Sequence, residues 1–187
     1  MNDIPRPEHP QPQMEREHWQ NLNGEWEFAI DFGKSGVDRR YYDREHLEEK
    51  IFVPFCPESE LSGIGYKDFM PALWYQKNIG ITEEELSGRV LLHFGAVDYE
   101  CIIYVNGVSC GTHKGGYASF TVDITDELER GENRLTVAVS DDLRSGLQPK
   151  GKQSGLFYSH GCDYTRTTGI WQTVWLEFVP ESYIKNV

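Results

Sequence analysis

Five short segments, 73–79, 89–94, 99–105, 119–124 and 134–139, follow one another in the middle of the chain. Each is rich in β-branched and aromatic residues and bounded by turn-forming residues. Strands this short and closely spaced predict an all-β, two-layer antiparallel sandwich. Asn106-Gly107 is the strongest hairpin signal among them, because a type I′ turn needs positive φ at both central residues. Upstream, Glu25-Trp26-Glu27-Phe28-Ala29-Ile30-Asp31 alternates charged and apolar residues with the period of a half-buried strand, placing Trp26, Phe28 and Ile30 on one face. A brief apolar strand is expected at 51–53, a short helix or irregular loop over 41–50, and a long loop over 54–71. Loops of that length in a compact domain are usually functional. Asp126 to Gly131 reads as one helical turn opened by Thr125 or Asp126 and stopped by Gly131.

The 187 residues suit one domain with a sizeable core. Prolines at 5, 7, 10 and 12 keep the opening segment extended, so residues 1–18 are expected to form an N-terminal arm and 19–187 the domain. A formal net charge of −12 argues against nucleic acid as a partner, since that surface needs a basic stripe. Cys56, Cys101, Cys110 and Cys162 are scattered and read as reduced, and neither they nor the six histidines have metal-ligand spacing. No metal or cofactor is expected. The N-terminal residues lack the charged head and apolar run of a secretory signal, and no stretch is apolar enough to span a bilayer, so the expectation is a cytoplasmic protein without a membrane partner.

The segment Gly161 to Glu177, GCDYTRTTGIWQTVWLE, sets Asp163 just ahead of a tight Thr168-Gly169-Ile170 corner and a closing strand on which Trp171 and Trp175 share a face. On residue type alone Asp163 reads as a loop brace, as Asp often is in turns. Lys152 and Gln153, in Pro149-Lys150-Gly151-Lys152-Gln153, belong either to a solvated loop or to a site. Arg166 either fixes the Asp163 loop through a bidentate ion pair or covers an interface. Trp74 is either core or an aromatic platform for a sugar ring.

Together the 161–177 segment and the strand series RVLLHFGAVDYECIIYVNGVSCGTHKGGYASFTVDITDELERGENRLTVAV resemble the N-terminal sugar-binding domain of family 2 glycoside hydrolases, the β-galactosidases and β-glucuronidases. The likeness runs from about Trp19 to Pro180. It implies a jelly-roll β-sandwich of the galactose-binding type, in which an aspartate six positions before the corner glycine, here Asp163, hydrogen-bonds a hydroxyl of the terminal sugar. A carboxylate suits that task because it accepts from adjacent hydroxyls and rejects an epimer that leaves a lone pair unpaired. The Lys-Gly-Lys-Gln loop typical of a subset of the family makes Lys152 and Gln153 candidates for the sugar or for a carboxylate of a neighbouring domain. Asp98, Asn106-Gly107 and Gly115-Gly116-Tyr117 are family-like positions whose work is scaffold.

Glycoside hydrolysis needs two carboxyl groups about 5 Å apart for retention and wider for inversion. Nothing among the 30 acidic residues marks such a pair. The resemblance places the catalytic glutamates in a downstream (β/α)8 barrel, beyond an immunoglobulin-like domain, so no catalytic residue is expected in this chain. Some β-galactosidases of the family add an asparagine for sugar and sodium binding, but residues 54–71 contain none, and a sodium-assisted site is not expected. The implied role is a non-catalytic wall of a pocket for a terminal β-galactoside, with a β-glucuronide second. A free-standing lectin-like module and a purely structural domain are the alternatives.

Overall fold

The computed structural model describes residues 4–185. Twelve strands run in chain order: β1 Trp19–Asn21, β2 Gly24–Ile30, β3 Glu49–Val53, β4 Ala72–Ile81, β5 Arg89–Phe94, β6 Val97–Asp98, β7 Glu100–Val105, β8 Val108–Lys114, β9 Phe120–Asp123, β10 Gly131–Ser140, β11 Gly169–Ile170 and β12 Val174–Val179. Six form a sheet in the order β3-β2-β4-β10-β7-β8, four a second sheet in the order β1-β12-β5-β9, and β11 pairs with β6 as a two-stranded ribbon. All of these pairings are antiparallel. The expected jelly-roll sandwich is therefore what the chain forms.

Alternation along the strands decides which residues are inside. Leu73, Tyr75, Ile79 and Ile81 of β4 and Leu135, Val137 and Val139 of β10 turn toward Val90, Leu92 and Phe94 of β5 and Val174 and Leu176 of β12. Trp26 and Phe28 join them from β2. Each large apolar side chain buried this way stabilises the fold by roughly 1.5–3 kcal/mol. The hairpin between β7 and β8 turns on Asn106 (φ 51°) and Gly107 (φ 84°), as the dipeptide predicts. The Asn106 side chain also accepts from Arg134 N at 2.9 Å and donates to Asn133 Oδ1 at 2.8 Å, tying the turn to β10.

Some local expectations shift. The helical turn is a 3-10 turn at Thr125–Glu127, and Gly131 opens β10. Residues 41–50 hold a 3-10 turn at Tyr41–Asp43 and the start of β3. Trp171 and Trp175 do not share a strand face, because the chain bends between Ile170 and Val174. Trp171 lies off the strand, where its indole donates to Gly116 O at 2.8 Å, while Trp175 is buried and stacks on His93 with 4.7 Å between rings.

Candidate functional site

The Asp163 loop is the long excursion between β10 and β11, and it is held by two isolated β-bridges together with side-chain hydrogen bonds. Backbone bonds in both directions between His160 and Asp163, at 3.0 and 2.8 Å, close a tight turn over Gly161-Cys162. Tyr164 N then donates to Lys152 O, and Ser154 N to Tyr164 O, both at 2.7 Å. The buried Ser154 hydroxyl donates to Tyr158 O at 2.8 Å and lies 3.0 Å from His160 Nδ1, so the loop wraps around one serine. The corner that follows is fixed by Gly169, whose φ is +78° and where a Cβ would stand 2.2 Å from the Tyr75 hydroxyl oxygen. Only glycine meets both demands.

Asp163 itself is partly exposed. Lys150 Nζ approaches its Oδ2 at 3.2 Å and His160 Nε2 the same oxygen at 3.9 Å. Both groups approach the same oxygen of the carboxylate; Oδ1 accepts no hydrogen bond among the described residues. Elsewhere on the same excursion Leu147, Phe157, Tyr158 and Tyr164 are exposed, Leu147 at 88%. Lys152 is exposed with its side chain toward solvent, and Lys150 also donates to Gln153 O at 2.8 Å.

Three other candidates have internal partners. Gln153 is buried, and its Nε2 donates to Asp98 Oδ2 at 2.6 Å and to the Tyr117 hydroxyl at 3.3 Å, while its Oε1 accepts from Thr167 N at 2.8 Å. It staples the loop to the sandwich instead of facing a ligand. Arg166, 3% exposed, makes no ion pair with Asp163: it donates to Ser154 O at 3.3 Å, to Leu156 O at 2.5 Å and to Lys67 O, and its guanidinium lies 4.3 Å over the Phe69 ring. It ties two loops together through their carbonyls. Trp74 is 2% exposed and sits among Ala29, Tyr41, Leu47, Tyr104 and Ala138 on the outer face of the six-stranded sheet. Its position on β4 is opposite in phase to Leu73 and Tyr75, and the segment after Asp31 folds over it, so at 2% exposure it offers no open platform for a sugar. Its edge lines, with Ile102, His113 and Lys114, a groove of about 500 Å³ that does not include Asp163.

Beneath the corner lies a buried acidic group that the sequence pattern did not reveal. Glu58 accepts from Thr168 Oγ1 at 2.7 Å and Thr168 N at 3.2 Å, and Asp141 Oδ2 lies 3.3 Å from the same hydroxyl. Burial pushes the Glu58 and Asp141 carboxyls up. Burial, reinforced by Asp141 and Glu58, pushes Asp98 up to about 7 against the hydrogen bond from Gln153. Their burial separates these carboxyls from any substrate, so the cluster is a brace for the corner and not a glycosidic acid pair. Lys150, His160 and Ser154 were likewise not singled out as site residues, because their roles depend on contacts a linear pattern does not encode.

The two antiparallel sheets packed as a jelly roll place the chain in the class of β-sandwich domains. The description "Glycosyl hydrolases family 2, sugar binding domain" matches residues 19–180, and the chain belongs to that family. Its similarities divide between two enzyme names. It is 33% identical over 123 residues to a β-galactosidase of Thermoanaerobacter pseudethanolicus, covering 65% of this chain and 16% of that protein. It is 26% identical to the β-glucuronidase of Felis catus, covering 94% of this chain and 30% of the relative. Among solved structures, a β-glucuronidase from an uncultured Clostridium superposes with a TM-score of 0.73 at 26% identity, covering 90% of this chain and 30% of the other. The chain therefore spans less than a third of the length of these relatives.

Proposed function

We propose that this domain forms one wall of the substrate pocket of a β-glycosidase and that Asp163 accepts hydrogen bonds from hydroxyls of the terminal sugar. The observation that carries this reading is the Asp163 carboxylate, whose Oδ2 is held by Lys150 while Oδ1 accepts no hydrogen bond among the described residues. The exposed Leu147, Phe157, Tyr158 and Tyr164 on the same excursion suit a surface covered by another part of a longer enzyme. An immunoglobulin-like domain and a (β/α)8 barrel carrying the catalytic glutamates are the partners the resemblance implies. A β-galactoside is the first substrate. A β-glucuronide is the second: in the 141–168 excursion the exposed Lys152, whose ammonium has no partner among the described residues, is a cation placed to complement a uronate.

In the full-length enzyme, Asp163→Ala should lower kcat/KM more than tenfold, about 1.4 kcal/mol of transition-state binding. The comparison is run with aryl β-galactoside and aryl β-glucuronide, and the larger kcat/KM names the sugar. An unchanged kcat/KM for both would leave only a structural role for the domain.

A further inference from the structure

Asp163 is held through the first lysine of the Lys-Gly-Lys-Gln loop. We propose that Lys150 is a positioning residue for sugar recognition, its ammonium clamping one oxygen of Asp163 so that the other faces the sugar.

Lys150 Nζ bridges two acceptors that are thirteen and three residues away in sequence, Asp163 Oδ2 at 3.2 Å and Gln153 O at 2.8 Å. Its own backbone is anchored as well, because Lys150 O accepts from the Tyr117 hydroxyl at 3.2 Å. Gln153 is in turn pinned by Asp98 and Thr167 N, so the ammonium connects the exposed carboxylate to the buried part of the loop. Its side chain is 38% exposed and that of Asp163 30%, so this pair contributes little to global stability. Its value is geometric: an unclamped aspartate on a loop samples several rotamers, and each must be frozen when the sugar binds. His160 approaches the same Oδ2 but at 3.9 Å, beyond hydrogen-bond reach, which leaves Lys150 as the donor that sets the pose.

This inference rests on the reading of Asp163 as a sugar contact, and the test separates the two. The full-length enzyme is prepared with Lys150→Met, Lys150→Arg, Asp163→Ala and the Lys150→Met/Asp163→Ala pair, and kcat and KM are measured with the preferred aryl glycoside. Lys150→Met should lower kcat/KM three- to tenfold, Lys150→Arg should stay within threefold of the parent, and in the Asp163→Ala background Lys150→Met should change kcat/KM less than twofold. A Lys150→Met enzyme within twofold of the parent, alongside an Asp163→Ala enzyme that has lost more than tenfold, overturns the clamp and leaves the sugar contact standing. A Lys150→Met loss of undiminished size in the Asp163→Ala background also overturns it, because the lysine would then act on the substrate directly. An Asp163→Ala enzyme with parental kcat/KM removes both. Should Lys150→Met fail to fold, Lys150→Gln is measured in the same two backgrounds with the same thresholds.

Discussion

Asp98 is 1% exposed, and its two oxygens live differently: Oδ2 accepts from Gln153 at 2.6 Å, whereas Oδ1 has no partner. A charge in that setting is poorly solvated, and the neighbouring Asp141 and Glu58 carboxyls oppose it further, which is why Asp98 is raised to about 7. A carboxyl raised on folding favours the folded state fully below its unfolded value near 3.8, and that advantage is lost as pH climbs through about 7. Thermal melts between pH 4 and pH 8 should thus show Tm falling with pH, and Asp98→Asn, which keeps an acceptor for Gln153 and cannot ionise, should flatten the slope. A slope unchanged in Asp98→Asn would show that Asp98 does not carry it. Asp98→Ala removes the acceptor and should cost about 1–3 kcal/mol at pH 5, because the buried Gln153 amide nitrogen loses the nearer of its two acceptors.

At the scale of elements, β4 and β10 show how one strand serves two cores. Their inward residues join the sandwich interior, while Trp74 and Ala138 turn outward into a second cluster with Tyr41, Leu47 and Tyr104. Asp31 secures the covering segment, accepting from Gly36 N at 2.6 Å and Ser35 N at 3.1 Å, with the Trp74 indole N–H at 3.4 Å. Trp74→Ala should therefore destabilise the domain by about 3–5 kcal/mol, as emptying a core aromatic site does, and leave KM of the folded full-length enzyme within twofold. Denaturant unfolding and kinetics measure the two effects; a large KM change without loss of stability would restore Trp74 as a sugar contact. The strands around this cluster were legible in the sequence because alternation and the Asn106-Gly107 turn are local signals. Burial of Trp74 was not legible, since it depends on residues 31–48 folding back over the sheet. The same limit governs the site. Asp163 stood out through the family resemblance, but Lys150 could be assigned a role only once the loop had closed on itself, and Gln153 and Arg166 proved to be buried, the one bonded to Asp98 and Thr167 N and the other to the Ser154, Leu156 and Lys67 carbonyls.

Across the whole molecule, the N-terminal arm meets the sandwich at a buried carboxylate, beside the hydrogen bonds from Asn21 Nδ2 to Arg6 O at 2.8 Å and from Asn23 Nδ2 to Pro5 O at 3.0 Å. Glu177 on β12 receives Arg16 Nε at 3.1 Å and the Trp175 indole at 3.0 Å, with His9 Nε2 and His93 Nε2 each at 3.5 Å. Two of these four groups, His9 and Arg16, come from the arm. Burial raises Glu177, yet the His93 ring, the Trp175 indole and Arg16 outweigh it and bring the carboxyl down to about 2. The sign is opposite to that of Asp98. A depressed carboxyl stabilises the fold at pH values above its unfolded value near 4.5, and this contribution disappears as pH falls toward about 2. With Asp98 eroding stability toward neutral pH and Glu177 toward strong acid, the domain should be most stable at mildly acidic pH, near 4–5. The two arms of that profile can be dissected. Glu177→Gln should cost about 1–3 kcal/mol at pH 6, measured by urea unfolding, because Arg16 loses its charged acceptor. The difference from the parent should shrink toward zero by pH 2, where the parent carboxylate is itself becoming protonated, and cleavage of the arm by a protease should accelerate in the variant at pH 6. A stability difference that stays constant from pH 6 to pH 2 would mean that the ionised Glu177 is not what fastens the arm.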